Sequence, residues 1–213
     1  MNQRLVVAGL RALLPVTVAA FVVAIGVHAV QAARPPHLVA ALLCVGYLLW
    51  ILAESRITVR NPSEASAENG TLLPYALSRA GVGVSAALWP LRWEVLAAWM
   101  AVPIALFAGA VALRLVAIRT LGRFYSHHVV RYSDHTIVST GPYRFVRHPA
   151  YTGMLLANAG FVAYFVNPLS VLLLVVLCAV VIWRIGVEER VLLGVPGYRD
   201  YSSGRARLLP GVW

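Results

Sequence analysis

The chain has no lysine at all and few acids. Eight aspartates and glutamates stand against 18 basic residues, every one an arginine, for a formal charge of +10. Only 12% of its 213 residues are charged, where a soluble domain carries about 25%. So few charges cannot cover a folded surface in water. That excludes a soluble globular enzyme, and the 60% hydrophobic content excludes a disordered chain. Cysteine is also scarce. Cys44 and Cys178 each lie inside an apolar run, so neither a disulfide framework nor a metal site is expected and both read as inert buried thiols. What remains is apolar chain with a mean hydropathy of +0.76, which is the membrane class. The +10 charge would also suit nucleic acid. The arginines are dispersed over loops and helix ends, however, so no nucleic-acid partner is expected and the lipid bilayer is. The all-arginine, Ala/Val/Leu-rich usage points to a GC-rich bacterial genome.

A bilayer-spanning helix needs about 20 largely apolar residues. Candidate spans run from Leu5 to Val30, Leu38 to Ala53, Leu72 to Leu91, Val95 to Ile118, Tyr151 to Val166 and Leu169 to Ile185. The first begins like a signal peptide, but its apolar stretch is longer than such a segment needs, so a retained helix is expected. The third is the weakest, broken by Ser78-Arg79 and Gly81. Its GVGVSA stretch (81–86) loosely mimics a dinucleotide fingerprint, yet no strand precedes it, and close helix packing explains it better. Six spans place the N-terminus, the loop after Glu54, residues 119–149 and the tail on one side, together with nearly all loop arginines. Five spans would put Arg4 opposite the basic loops. The expectation is an all-α polytopic transmembrane bundle, six spans preferred over five. Residues 1–118 supply N-terminal helices and residues 119–213 a functional region, in the cytoplasmic membrane of a bacterium with that region facing the cytoplasm.

From Arg119 to His148 the chain turns polar, basic and aromatic and holds four of its six histidines. Residues 141–153 (GPYRFVRHPAYTG) pack turn signals, arginines and tyrosines just before an apolar helix. Pro149 suits a first helical turn, which sets His148 at an N-cap whose free N–H groups favour an anion. A lipid-facing surface loop with belt tyrosines would need no chemistry from the same residues. Farther on, Arg184 and Glu188 are four apart and share a helix face. Spacing leaves open whether they form an interfacial ion pair or grip a common ligand. A small transporter or assembly factor would instead show ionisable residues near the midplane and repeated halves. The helix centres read as nearly uncharged apart from Arg79, and no repeat is visible.

GPYRFVRHPAYTGMLL, preceded by LGRFYS and DHTIVSTG and followed by EER, GYRDY and RLLPGV, resembles the isoprenylcysteine carboxyl methyltransferase (ICMT) family. These are integral membrane enzymes that use S-adenosylmethionine (AdoMet). The likeness covers about Leu121 to Val212; the N-terminal spans match only in being apolar. It implies an AdoMet site, releasing S-adenosylhomocysteine, built from His135, Thr136, Ile137, Val138, Tyr143, His148, Pro149, Ala150, Tyr151 and Glu188. Arg184 takes the place of the family's substrate-contacting, catalytic arginine, and His128 that of a polar cofactor contact. The stretch Leu192–Gly197 is shorter than in the family, which leaves the register of Arg199, Arg205 and Arg207 open.

The implied reaction is O-methylation of a lipophilic small molecule or lipid, an isoprenylcysteine-like carboxylate above all. A carboxylate is ionised at pH 7 and needs no general base. The protein's tasks are then alignment, exclusion of water and placement of charge. Arg184 can hold a carboxylate in a fork, Tyr143 and Tyr151 can face a sulfonium, and Glu188 suits a hydroxyl or ammonium. A thiol or phospholipid-amine acceptor would ask for a base, with His148 or His128 as candidates.

Overall fold

The computed structural model describes residues 3–58, 70–125, 137–211 and 213. Among these residues six long helices follow one another: α1 (Gln3–Val30), α2 (Pro35–Thr58), α3 (Leu72–Leu88), α4 (Ala101–Leu121), α5 (Pro149–Phe165) and α6 (Pro168–Leu192). A short α7 (Tyr198–Ser203) lies in the tail. Proline sets most of the starting points. It stands first in α2, α5 and α6 and third in α3 and α4, where the amide it lacks has no helical partner. Asn167 caps α6 by accepting the Ser170 amide at 2.8 Å, so the Asn167-Pro168 turn reverses the chain tightly between α5 and α6.

Each apolar run expected to span forms a helix over most of its length, except that residues 89–97, the end of the third run and the start of the fourth, are not helical, and the chain is a polytopic membrane bundle. Among the described residues, four segments are long and apolar enough to cross a bilayer: Gly9–Val30, Pro35–Ser55, Ala98–Leu121 and Pro168–Leu192. Helices α3 and α5 have 17 residues each, about 25 Å at 1.5 Å per residue. Leucines and valines of the outer helices, such as Val22, Leu42, Val102 and Leu172, stay exposed, as a lipid-facing surface requires.

Helix α5 is the hub. Most of it is buried, chiefly against α4, while α3 packs on α6 and α1 packs on α2 and α3. A Cβ at Gly153 would come within 2.8 Å of the Ala110 carbonyl oxygen, and one at Gly160 within 2.7 Å of the Phe107 amide nitrogen. The missing side chains are what let α4 and α5 touch backbone to backbone, the small-residue contact that membrane helices favour. Behind this seam Phe21, Tyr47, Phe107 and Phe161 stack into an aromatic core. Within it the Tyr47 hydroxyl donates to Asn158 Oδ1 at 2.8 Å, pairing a polar group that would be costly if left unmatched.

The alternation of helices sorts the connections by end. One end gathers the C-termini of α2, α4 and α6 with the starts of α3 and α5 and the described part of the tail. At the other end His28 of α1 lies 3.1 Å from His37 of α2, Nδ1 to Nδ1, and 3.2 Å from the Ala87 carbonyl of α3. There too Trp93 donates to the Tyr164 carbonyl at 2.8 Å.

Candidate functional site

The helix centres are not uncharged. Helix α2 continues to Thr58, so Glu54, read as the boundary of the second span, is inside the helix and 2% exposed. Arg114, hidden in the apolar run of α4, is 1% exposed. Its Nε and Nη2 grip both oxygens of Glu54, the Nη2 contact at 2.9 Å, and its Nη1 donates to the Ala150 carbonyl at 2.8 Å. Glu54 also accepts from Arg79 Nη1 at 2.8 Å and from the Trp50 indole. Three helices are thereby tied to the first turn of α5 by one buried carboxylate. The pairing is what makes such burial tolerable.

Next to this cluster stands a second. Arg184 Nε donates to the Tyr151 hydroxyl at 2.8 Å, and that hydroxyl donates to Glu188 Oε2 at 2.9 Å. Arg184 Nη1 holds Thr71 Oγ1 at 2.7 Å. Arginine and glutamate four residues apart therefore meet on a tyrosine from another helix. Tyr75 of α3 joins the clusters. Arg114 Nη2 reaches its hydroxyl at 3.4 Å, and the Arg184 guanidinium carbon lies 5.4 Å from its ring centre.

A third group anchors the tail. Glu189, 7% exposed, accepts from Arg147 Nη1 at 3.0 Å and Arg207 Nε at 2.9 Å, and lies 3.3 Å from His148 Nε2. The Arg147 and His148 amides donate to the Ala206 and Arg207 carbonyls at 2.9 and 3.0 Å. Arg205 bonds the Arg144 carbonyl, and the Tyr201 hydroxyl bonds the Tyr143 carbonyl at 2.9 Å. This settles the register of two of the tail arginines: Arg205 and Arg207 clasp residues 144–148. Among the described residues Arg199 makes no side-chain bond to that block, and only its carbonyl is engaged, by Ser202.

Most residues singled out in the sequence converge at this end. Tyr143, Ala150 and Val138 pack together with Ala117, Leu121 and Tyr125. Ile137 packs with Val195, Tyr198 and Tyr201. Pro149 opens α5 behind the His148 cap, with Ala150 and Tyr151 following it. The expected anion nest at that N-cap is largely used up, because the Tyr151 and Thr152 amides bond to the His148 carbonyl at 3.0 and 3.1 Å and Pro149 has no amide hydrogen. His128, His135 and Thr136 lie outside the described residues. Burial pushes the phenols of Tyr143, Tyr198 and Tyr201 above their ordinary range. Each stays neutral at physiological pH, a hydrogen-bond donor with an aromatic face.

The chemistry of the donor set fits a nucleoside with a charged tail. The Tyr198 hydroxyl is buried without a hydrogen-bond partner. Glu188 is only half-buried, and among the described residues its Oε1 accepts no hydrogen bond, leaving it for a ligand hydroxyl or ammonium.

Residues 101–194 match the model of the isoprenylcysteine carboxyl methyltransferase (ICMT) family. Over that stretch the chain is similar to this family. The match takes in Arg114, the whole 141–153 block and the Arg184–Glu189 segment. Among relatives, "Protein-S-isoprenylcysteine O-methyltransferase A" of Arabidopsis thaliana is 37% identical over 110 residues, 47% of this chain and 53% of the relative. The B form of the same plant is 37% identical over 36% of this chain and 38% of the relative. The Saccharomyces cerevisiae enzyme is 37% identical over 38% and 35%. The chain thus spans between about a third and about half of the length of these curated relatives. A solved structure described as the eukaryotic intramembrane Ras methyltransferase ICMT shares the fold. Its TM-score is 0.53 at 22% identity, covering 81% of this chain and 64% of that one. Outside the family match lie Glu54, Thr71, Tyr75 and Arg79, which the structure nonetheless sets against the matched residues.

Proposed function

We propose that this chain is an integral membrane AdoMet-dependent methyltransferase of the ICMT family that O-methylates a lipophilic carboxylate of isoprenylcysteine type. The observation that carries the reading is the Tyr151 hydroxyl, held between Arg184 at 2.8 Å and Glu188 at 2.9 Å. It ties a carboxylate suited to the cofactor's polar groups to a guanidinium suited to the acceptor. AdoMet supplies the methyl group when bound. Glu188, the Tyr143 and Tyr151 rings, Ile137, Val138 and the His148–Tyr151 turn hold and orient it, with His135 and Thr136 as further contacts. Arg184 aligns the acceptor's carboxylate. The buried tyrosines and the tail clasped over them keep water out, so charge–dipole interactions at the site act at low dielectric. His148, the base that a thiol or amine acceptor would call on, has its Nε2 directed to Glu189, which favours the carboxylate reading.

The same reading puts six spans in the bilayer, with the site end facing the cytoplasm of a bacterial cell. A soluble cofactor then enters from water and an acceptor from lipid, between helices. Detergent-purified protein melted with and without AdoMet tests the proposal. We expect AdoMet to raise the melting temperature of the wild type and to leave Glu188→Ala unshifted. Equal shifts in both proteins, or none in the wild type at millimolar AdoMet, would overturn it.

A further inference from the structure

Arg114 and Arg79 share Glu54 unequally. Arg114 uses the Nε–Nη2 edge of its guanidinium, the edge whose two parallel N–H groups match a carboxylate, and its remaining nitrogen is bonded to the Ala150 carbonyl. Arg79 meets the same carboxylate only through Nη1. Its Nε and Nη2 are buried and make no hydrogen bond. They form the very edge that on Arg114 grips Glu54. The flat face of Arg79 is covered by the Trp50 ring, 4.2 Å from the guanidinium carbon, so the fork is held in orientation while its buried edge stays without a hydrogen bond.

Charge points the same way. Arginine remains protonated in any protein setting. Among the described residues, one carboxylate between two guanidiniums leaves a positive excess in this cluster, and buried donors and charges without partners are costly. A bilayer protein has an evident source of a matching anion: the head of an amphiphile whose tail lies in the lipid. Tyr75, one helical turn before Arg79 on α3 and so on its face, lies under Arg184. The fork therefore belongs to the same polar interior as the Arg184–Tyr151–Glu188 relay.

We infer that Arg79, through its Nε–Nη2 fork, is a recognition residue for the carboxylate of a lipophilic acceptor, drawn in between helices alongside Arg184. The inference rests on the methyl-acceptor reading above, which assigned the carboxylate to Arg184 alone. Arg184 already spends Nε on Tyr151 and Nη1 on Thr71, so a second guanidinium with an unbonded edge makes the grip bidentate. The step is binding only; no bond is made or broken at Arg79.

The test is equilibrium binding to the full chain in nanodiscs of phosphatidylcholine. The probes are N-acetyl-S-farnesylcysteine and its uncharged carboxamide. In the wild type the carboxylate binds about tenfold or more tightly than the carboxamide, as a charge-assisted fork should give. Arg79→Gln brings the two affinities together. Arg79→Lys keeps the charge opposite Glu54 but not the fork, and restores only a small part of the preference. A wild-type ratio near one, no binding of either probe, or a full preference in Arg79→Gln would overturn the inference. So would loss of the wild-type preference on changing to phosphatidylglycerol nanodiscs, because the fork would then be taking a lipid phosphate. AdoMet melting shifts in the same samples judge the methyltransferase reading separately. A wild type that ignores AdoMet but discriminates the probes through Arg79 sinks that reading and leaves the fork standing.

Discussion

Glu54 and Arg114, sixty residues apart on α2 and α4, meet in a two-pronged ion pair among buried side chains. Removing the carboxylate strands two guanidiniums at once. Glu54→Gln should cost about 3 to 5 kcal/mol of stability, the usual penalty for breaking a buried pair from one side. A large drop in the melting temperature of detergent-purified protein is the expected readout. A variant that melts like the wild type would mean that the cluster does not hold the helices together.

The Tyr151 hydroxyl can be removed while its ring stays. Tyr151→Phe should fold, because the ring packs on in the core, but the bridge from Arg184 to Glu188 is lost. AdoMet affinity is expected to fall about tenfold, the effect of about 1.4 kcal/mol from one charge-assisted bond. Isothermal titration measures this directly. Unchanged affinity would show that the bridge does not position Glu188.

Adjacent carboxylates on α6 are predicted to fail differently. Glu189→Gln weakens the hold on Arg147, His148 and Arg207 and should lower the melting temperature in the absence of any ligand. Glu188→Gln should melt near the wild type yet gain little from AdoMet. Two melting curves per protein separate the roles, and identical behaviour of the two variants would refute the division.

The seam between α4 and α5 has no room for a methyl group at Gly160. Gly160→Ala drives a Cβ against the Phe107 amide and the Pro103 carbonyl, both backbone, so the helices must part. A loss of about 1 to 3 kcal/mol is expected, as for other overpacked contacts, and thermal denaturation reads it. Gly109 faces open space, so Gly109→Ala is the control that should melt unchanged.

Alkali should loosen the tail. An unfolded phenol ionises near pH 10, whereas burial holds the folded phenols of Tyr143, Tyr198 and Tyr201 above that. Above about pH 10 the unfolded chain releases protons that the folded one keeps, so stability is full below that pH and falls as pH rises past it. Melting temperatures recorded between pH 8 and 11 should be flat and then decline. Tyr198→Phe should soften the decline.

Much of this was legible in the linear chain. The apolar runs gave the helices, because each needs only local hydrogen bonds, and prolines marked where most begin. The 141–153 block was legible because its 13 residues are contiguous in the sequence. The division between Glu188 and Glu189 was not, since neighbours on a helix point about 100° apart and only the packing of α5 and the tail decides which way each faces. Glu54 was misread as a boundary and Arg114 passed over because a charge flanked by apolar residues looks the same whether it ends a helix or pairs inside one. A charge within a span was itself the available signal. The partners lie on separate helices, and their meeting is a property of the tertiary fold.

The clasp of residues 205–208 over residues 144–148 also bears on how the protein is made. The bundle can insert helix by helix as it leaves the ribosome, each segment satisfied by lipid and its predecessors. The clasp cannot. Its second half is encoded some sixty residues after the segment it holds, beyond the last long helix. Binding competence should therefore arrive late in biogenesis, after the membrane part is in place.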